Sequence, residues 1–190
     1  MLAIIATNIY LFILAVVLAI LEIQIEGSHG WAKNLPTWRP SSAKWYVRWY
    51  QKIMGGKECT GYHLALFGFI FLFFHSPYFF GAPLTLESWL ETLSLYFMFM
   101  VVWDFLWFVF NPDYPIKKFK KEHIWWHRRW WWLAPVEYYF GFLISFLVLL
   151  PIVNLDLFYW WLTNFGLFFV ESLVVIIFTL FIIKIDDWRK

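Results

Sequence analysis

A chain of 190 residues that is 62% hydrophobic and 25% aromatic, with 15 Trp and 23 Phe, is too apolar for a soluble globular domain. Its formal net charge of +2 says little as a total, and its single cysteine, Cys59, excludes an internal disulfide and a Cys-rich zinc or iron–sulfur site. The class that remains is one all-α integral membrane bundle forming a single domain over 1–190, with Cys59 as a free thiol of the buried type.

The first apolar run covers about 2–25. No basic segment precedes it and no clear small-x-small cleavage site follows, so it reads as a retained helix rather than a signal peptide. A polar loop, 27–58, comes next, with Lys33, Arg39, Lys44, Arg48, Lys52 and Lys57. Within it, 43–53 is expected as an interfacial helix with Trp45, Trp49 and Ile53 on one face. Pro36 and Pro40 break the chain before that helix, and Gly55-Gly56 break it after. Further spans follow at about 60–81 and 87–110, joined by a short link near 82–86 that lacks Lys and Arg. The second long loop, 111–133, carries Lys117, Lys118, Lys120, Lys121, Arg128 and Arg129, together with Trp125, Trp126, Trp130, Trp131 and Trp132. Spans at about 134–152 and 157–183 close the pattern, and the tail holds Lys184, Arg189 and Lys190.

Five spans put both long loops and the C-terminus on one side. All three are basic, so the positive-inside rule places them in the cytoplasm and the N-terminus outside. The expected protein is a multi-pass protein of the plasma (inner) membrane. Its Trp-rich loops would lie on the inner leaflet and meet anionic lipid headgroups, with no nucleic-acid partner.

Polar residues gather where the apolar runs reach that cytoplasmic face. Glu22, Glu26 and His29 are spaced i, i+4, i+7, and Glu22 lies about 6 Å deeper than Glu26 by helical rise. An ionised carboxylate at that depth requires a partner or a wet pocket. Asp104 sits inside the run Phe97–Phe110, and Asn111 lies one further i+7 step along, as a helix-end cap or a site residue. His123 and His127, at i, i+4, would chelate a metal if one helical turn held both, or touch headgroups if not. Glu137 follows Pro135, which is equally an ordinary helix start. His63 opens the second span, as an interfacial residue or a further ligand. His75 lies about 18 Å further along that helix and outside the cluster. Glu171, mid-span, pairs with Asn164 or lines an ion path.

Three carboxylates with two or three imidazoles suit Fe, Mn or Zn better than Mg or Ca. The expected metal ligands are thus Glu22, Glu26, His29, Asp104, His123 and His127, with Glu22, Asp104 and Glu137 as catalytic carboxylates. Arg39, Arg128, Arg129 and Asn111 would bind the substrate headgroup. The function this suggests is a metal-dependent hydrolase or oxidoreductase acting on a lipid or isoprenoid-like substrate, with metal-free acid–base catalysis as a variant. Two further classes are a proton or cation transporter using Glu171, Glu22 and Asp104, and a structural subunit holding haem, a quinone or a pigment. Gly-x-Ser-x-Gly, His-Glu-x-x-His, paired-Asp diphosphate and Gly-rich phosphate motifs are missing, as is the three-cluster His pattern of membrane fatty-acid desaturases. The blocks 26–39 and 103–112 read as signatures without a family resemblance that assigns an activity.

Overall fold

The computed structural model describes residues 1–185; Arg189 and Lys190 of the basic tail lie outside the described residues. The chain is mainly helical, with almost no sheet. In order come α1 (Leu2–Glu26) with a 3-10 turn at Gly27–His29, α2 (Trp45–Ile53), α3 (Gly61–Phe79), α4 (Leu86–Phe110), α5 (Val136–Leu147) and α6 (Leu155–Ile177), which runs on as a π-helical segment to Ile183.

Four helices are long and apolar enough to cross a membrane: Leu2–His29, Gly61–Phe79, Leu86–Phe110 and Leu155–Ile183. These mark a membrane protein. The span expected at 134–152 is shorter than the others. It divides into the 12-residue α5 and a separate 3-10 turn at Leu150–Ile152, because Pro151 has no N–H to continue the helix.

Side-chain caps place several helix starts. Thr60 Oγ1 accepts the His63 backbone N–H at 3.2 Å, and Thr85 forms a reciprocal capping box with Ser88. Asn154 Oδ1 accepts from the Leu157 N–H at 2.8 Å, which starts α6 two residues before the apolar run suggests.

At the centre is α4, packed against α1, α5, α6 and α3. Ala15 and Ala19 of α1 are fully buried in the core that α4 shares, and such small side chains let helices approach closely. Gly141 of α5 does the same against Val101, where a Cβ would collide with the valine methyl. Outward faces carry exposed Ile9, Ile13 and Val17 on α1, and Phe169, Val174 and Ile177 on α6.

The two long loops pack on each other at one end of the bundle. Trp125 Nε1 donates to the His29 carbonyl at 3.1 Å, and Lys33 Nζ lies 5.5 Å from the centre of the Trp125 ring. Gly30 has φ +65, and the Trp126 ring occupies the space its Cβ would need. A short antiparallel ladder, Trp130 to Pro135 and Trp131 to Ala134, then delivers the chain into α5. In α2, Trp45, Trp49 and Ile53 are exposed while Val47 is buried.

Candidate functional site

Where the two loops meet the ends of α1, α3, α4 and α5, a cavity of about 540 Å³ opens. Its polar lining includes Glu22, Glu26, Lys57, His63, Asp104, His127, Glu137 and Tyr138, with Lys52 and Arg129 also on the wall, and the rest is largely aromatic and aliphatic.

One half of the site is built by α1, α3 and the turn between 27 and 39. Glu22 and Glu26 share the buried stripe of α1 one helical turn apart. His63 Nε2 lies 3.3 Å from Glu26 Oε1 and 4.0 Å from Glu22 Oε1. The three groups each offer a ligand atom within 4.8 Å of the others, which is a set that can hold a metal ion. Thr60 Oγ1 hydrogen-bonds His63 Nδ1 at 2.7 Å. With Nδ1 donating to Thr60, the Nε2 lone pair faces the two carboxylates, as a ligating imidazole requires.

The 26–39 block closes around this set. Trp31 and Ala32 both take left-handed backbone conformations, and that turn aims the Ala32 N–H at Glu26 Oε1, 2.5 Å away. Trp31 stacks flat on the His63 ring with centroids 3.9 Å apart, and its Nε1 donates to the Glu58 carbonyl at 2.8 Å. Arg39 fastens the turn from outside, donating to the carbonyls of Ala32, Lys33, Leu35 and Thr37 and pairing with Glu58 at 3.1 Å.

The other half centres on His127, whose side chain is almost wholly buried. Its Nε2 is 3.2 Å from Asp104 Oδ2, and its Nδ1 is 3.6 Å from Glu137 Oε2. Tyr138 OH donates to the same Asp104 oxygen at 2.5 Å. Lys57 links the halves, with Nζ 3.5 Å from His127 Nε2 and 4.4 Å from the centre of the Trp31 ring. Burial pushes the Lys57 ammonium below the ordinary lysine value, against the opposing pull of Asp104, Glu137, Glu22 and Glu26.

Of the residues singled out from the sequence, Glu22, Glu26, Asp104, His127, Glu137 and Arg129 line this cavity. Others lie elsewhere. His29 is exposed and bonds Ser28 Oγ through Nδ1 at 3.1 Å, because the helix ends at Gly27 and the i+7 stripe is lost. His123 is exposed whereas His127 is buried, since 119–129 is irregular and no helical turn brings the pair together. Asn111 is buried as the helix-end residue: its Oδ1 accepts the Asp113 N–H at 2.9 Å, and it does not line the cavity. The Arg39 donors are spent on loop carbonyls, and Arg128 packs on Gly56. His75 bonds the Phe71 carbonyl at 2.7 Å and accepts from Trp89 Nε1 at 3.2 Å, away from the site. Asn164 pairs across to Asn8, at 3.0 Å, and not with Glu171.

Sequence reasoning undervalued three residues. The Thr60 cap before His63 was legible as a helix start, but not that the imidazole would meet Glu22 and Glu26. Lys57 counted only as a loop charge, and Tyr138 is one aromatic residue among many.

Comparison with family models, with curated proteins and with solved structures gives no match to this chain.

Proposed function

We propose that this protein is a small membrane enzyme that holds a transition metal, Fe, Mn or Zn, between Glu22, Glu26 and His63 and acts on a lipid or isoprenoid-like molecule. The observation that carries the reading is the convergence of Glu22, Glu26 and His63 in a cavity with largely aromatic and aliphatic walls. Two carboxylates and one imidazole there offer three ligand atoms within 4.8 Å of one another. A divalent cation fits such a set, and the mixed N/O donors suit a first-row metal.

Glu22, Glu26 and His63 would hold the ion, which when bound activates water or dioxygen and polarises an oxygen atom of the substrate. The chain's own residues do the rest. Trp31 and Thr60 fix the plane and tautomer of His63. Tyr138, Asp104 and His127 form a polar chain that would carry a proton towards the rim of the cavity, where the partly exposed Glu137 lies 3.6 Å from His127 Nδ1. Phe97, Met100, Val101, Phe140 and Ile144 continue the cavity as an apolar trough between α4 and α5, suited to a hydrocarbon chain. The trough opens beside the exposed Phe140 and Ile144, so a lipid would enter sideways from the bilayer.

In this reading α5 with its following turn makes a fifth crossing, the N-terminus lies outside, and both basic loops rest on the cytoplasmic leaflet of the plasma membrane. Exposed Trp45, Trp49 and Ile53 anchor α2 in the headgroup layer, and the lysines near 117–121 meet anionic lipid.

Elemental analysis of freshly purified, folded protein tests the proposal. About one equivalent of Fe, Mn or Zn is expected, lost in Glu26→Ala and His63→Ala variants that keep the wild-type elution profile. Folded wild-type protein without stoichiometric metal, after growth in medium supplied with each, overturns the metal-dependent form.

A further inference from the structure

Lys57 has a placement that a loop lysine on a membrane surface would not have. It is 6% exposed and faces the cavity with its amine against the Trp31 ring and His127. Four carboxylates share the cavity, yet among the described residues the Lys57 amine has no ion pair. Its one hydrogen-bonding neighbour is His127 Nε2, and that nitrogen also faces Asp104 Oδ2 at 3.2 Å.

The geometry decides what the amine meets. Asp104 accepts hydrogen bonds, so the His127 Nε2 beside it carries a proton and has no lone pair left for an ammonium. The opposite ring nitrogen, Nδ1, faces a second carboxylate, Glu137 Oε2 at 3.6 Å. Lys57 thus sits in a desolvated pocket, which disfavours its charge, while Asp104, Glu137, Glu22 and Glu26 pull the other way. The Trp31 face, 4.4 Å from Nζ, also attracts a cation. A buried lysine amine that faces a largely apolar cavity and pairs with no carboxylate among the described residues has the surroundings in which an amine attacks a carbonyl.

We propose that Lys57 condenses with the carbonyl group of an apolar aldehyde bound in the cavity, forming a Schiff base that anchors it covalently. The Nζ lone pair adds to the carbonyl carbon, and the C=O π pair moves to oxygen. A proton passes from nitrogen to that oxygen through His127, giving a carbinolamine. Its hydroxyl leaves as water after a second protonation, C=N forms, and the balance is one aldehyde and one amine to one imine and one water. No oxidant or reductant enters. The α4–α5 trough takes the hydrocarbon chain, and the acid–base pair is already in place as His127 and Tyr138. This reaction stands whether or not Glu22, Glu26 and His63 bind a metal.

The test is reductive trapping on the full chain in detergent, with decanal and sodium cyanoborohydride at pH 7, read by peptide mass mapping. Lys57 is expected to gain one decyl group at least ten times faster than the exposed Lys33 and Lys44, which do not line the cavity. A Lys57→Arg variant, which keeps a cation in place, should lose the fast phase and keep the slow surface labelling. Labelling of Lys57 no faster than the exposed lysines overturns the proposal. So does a Lys57→Arg protein that retains a fast single addition. Because the assay uses no metal and reads one residue, its failure leaves the metal reading intact, and the converse also holds.

Discussion

The indole of Trp31 lies face to face on the imidazole of His63, with centroids 3.9 Å apart and planes within 13° of parallel. The same indole carries the amine of Lys57 over its ring and donates its own N–H to the Glu58 carbonyl. A residue of the first long loop therefore sets the plane of an imidazole on α3. Removing such a support typically costs 10–100-fold in metal affinity. Trp31→Ala should weaken metal binding by about that range while Glu22, Glu26 and His63 remain. Titration of metal-stripped protein measures it, and an unchanged affinity would separate Trp31 from the site.

The histidines sort by position. His63→Ala should abolish stoichiometric metal, while His29→Ala and His123→Ala should leave it within error of wild type, because both of those side chains are exposed and apart from the carboxylates. Loss of metal in His29→Ala with retention in His63→Ala would return the ligand set to the i, i+4, i+7 stripe on α1.

Lys57 gives a pH dependence with a defined sign. Its folded-state value lies below the unfolded 10.5, so the folded protein holds that proton less tightly than the unfolded chain does. The destabilisation is complete below the folded value and is relieved as pH rises through it towards 10.5. Compared with Lys57→Met, the wild type should gain in Tm between pH 7 and pH 10. A difference that stays flat or moves the other way would mean Lys57 is an ordinary charged lysine.

Gly30 joins the two loops through its backbone. With φ +65 and the Trp126 ring where a Cβ would lie, Gly30→Ala meets both a left-handed backbone cost and a steric one. These sum to about 2–5 kcal/mol. Gly166→Ala, on α6 with open space around it, should change stability little. Thermal unfolding in detergent compares the two, and equal effects would show that the loop contact is not tight.

Asn8 and Asn164 are both buried and bonded across α1 and α6 at 3.0 Å. Asn8→Leu should lose about 0.6 kcal/mol, the average for a hydrogen bond between helices in a membrane, and at most about 1.7. A larger loss would indicate a role beyond this one bond.

What the sequence disclosed follows from which forces are local. The four long helices were legible because an apolar run near 20 residues has one stable form in lipid. Pro151 was visible too, yet its effect on the fifth run depends on where the chain must turn towards Asn154. Within the site, Glu22 and Glu26 were legible because one helix presents both. His63 joins them only through packing of α3 and the 27–39 turn, which no spacing encodes. His123 and His127 failed as a pair for the same kind of reason: Ile124, Trp126 and His127 are buried and Trp125 is not, a pattern set by contacts with other segments rather than by helical period. Lys57 was hidden by the positive-inside rule itself, which treats every loop lysine as surface charge.

The cavity draws on α1, α3, α4, α5 and both long loops, and it takes no residue from α6. As the chain is made, Glu22 and Glu26 therefore arrive before anything that can balance them, and the last partners, Glu137 and Tyr138, come only after the second long loop. A carboxylate stranded mid-bilayer during that interval would hinder insertion; one near a helix end can wait in headgroup water until its neighbours appear. The position of the site at the rim of the bundle is thus also a solution to the order of synthesis, and α6 serves as a late brace, tied to α1 through Asn8, on a centre already complete without it.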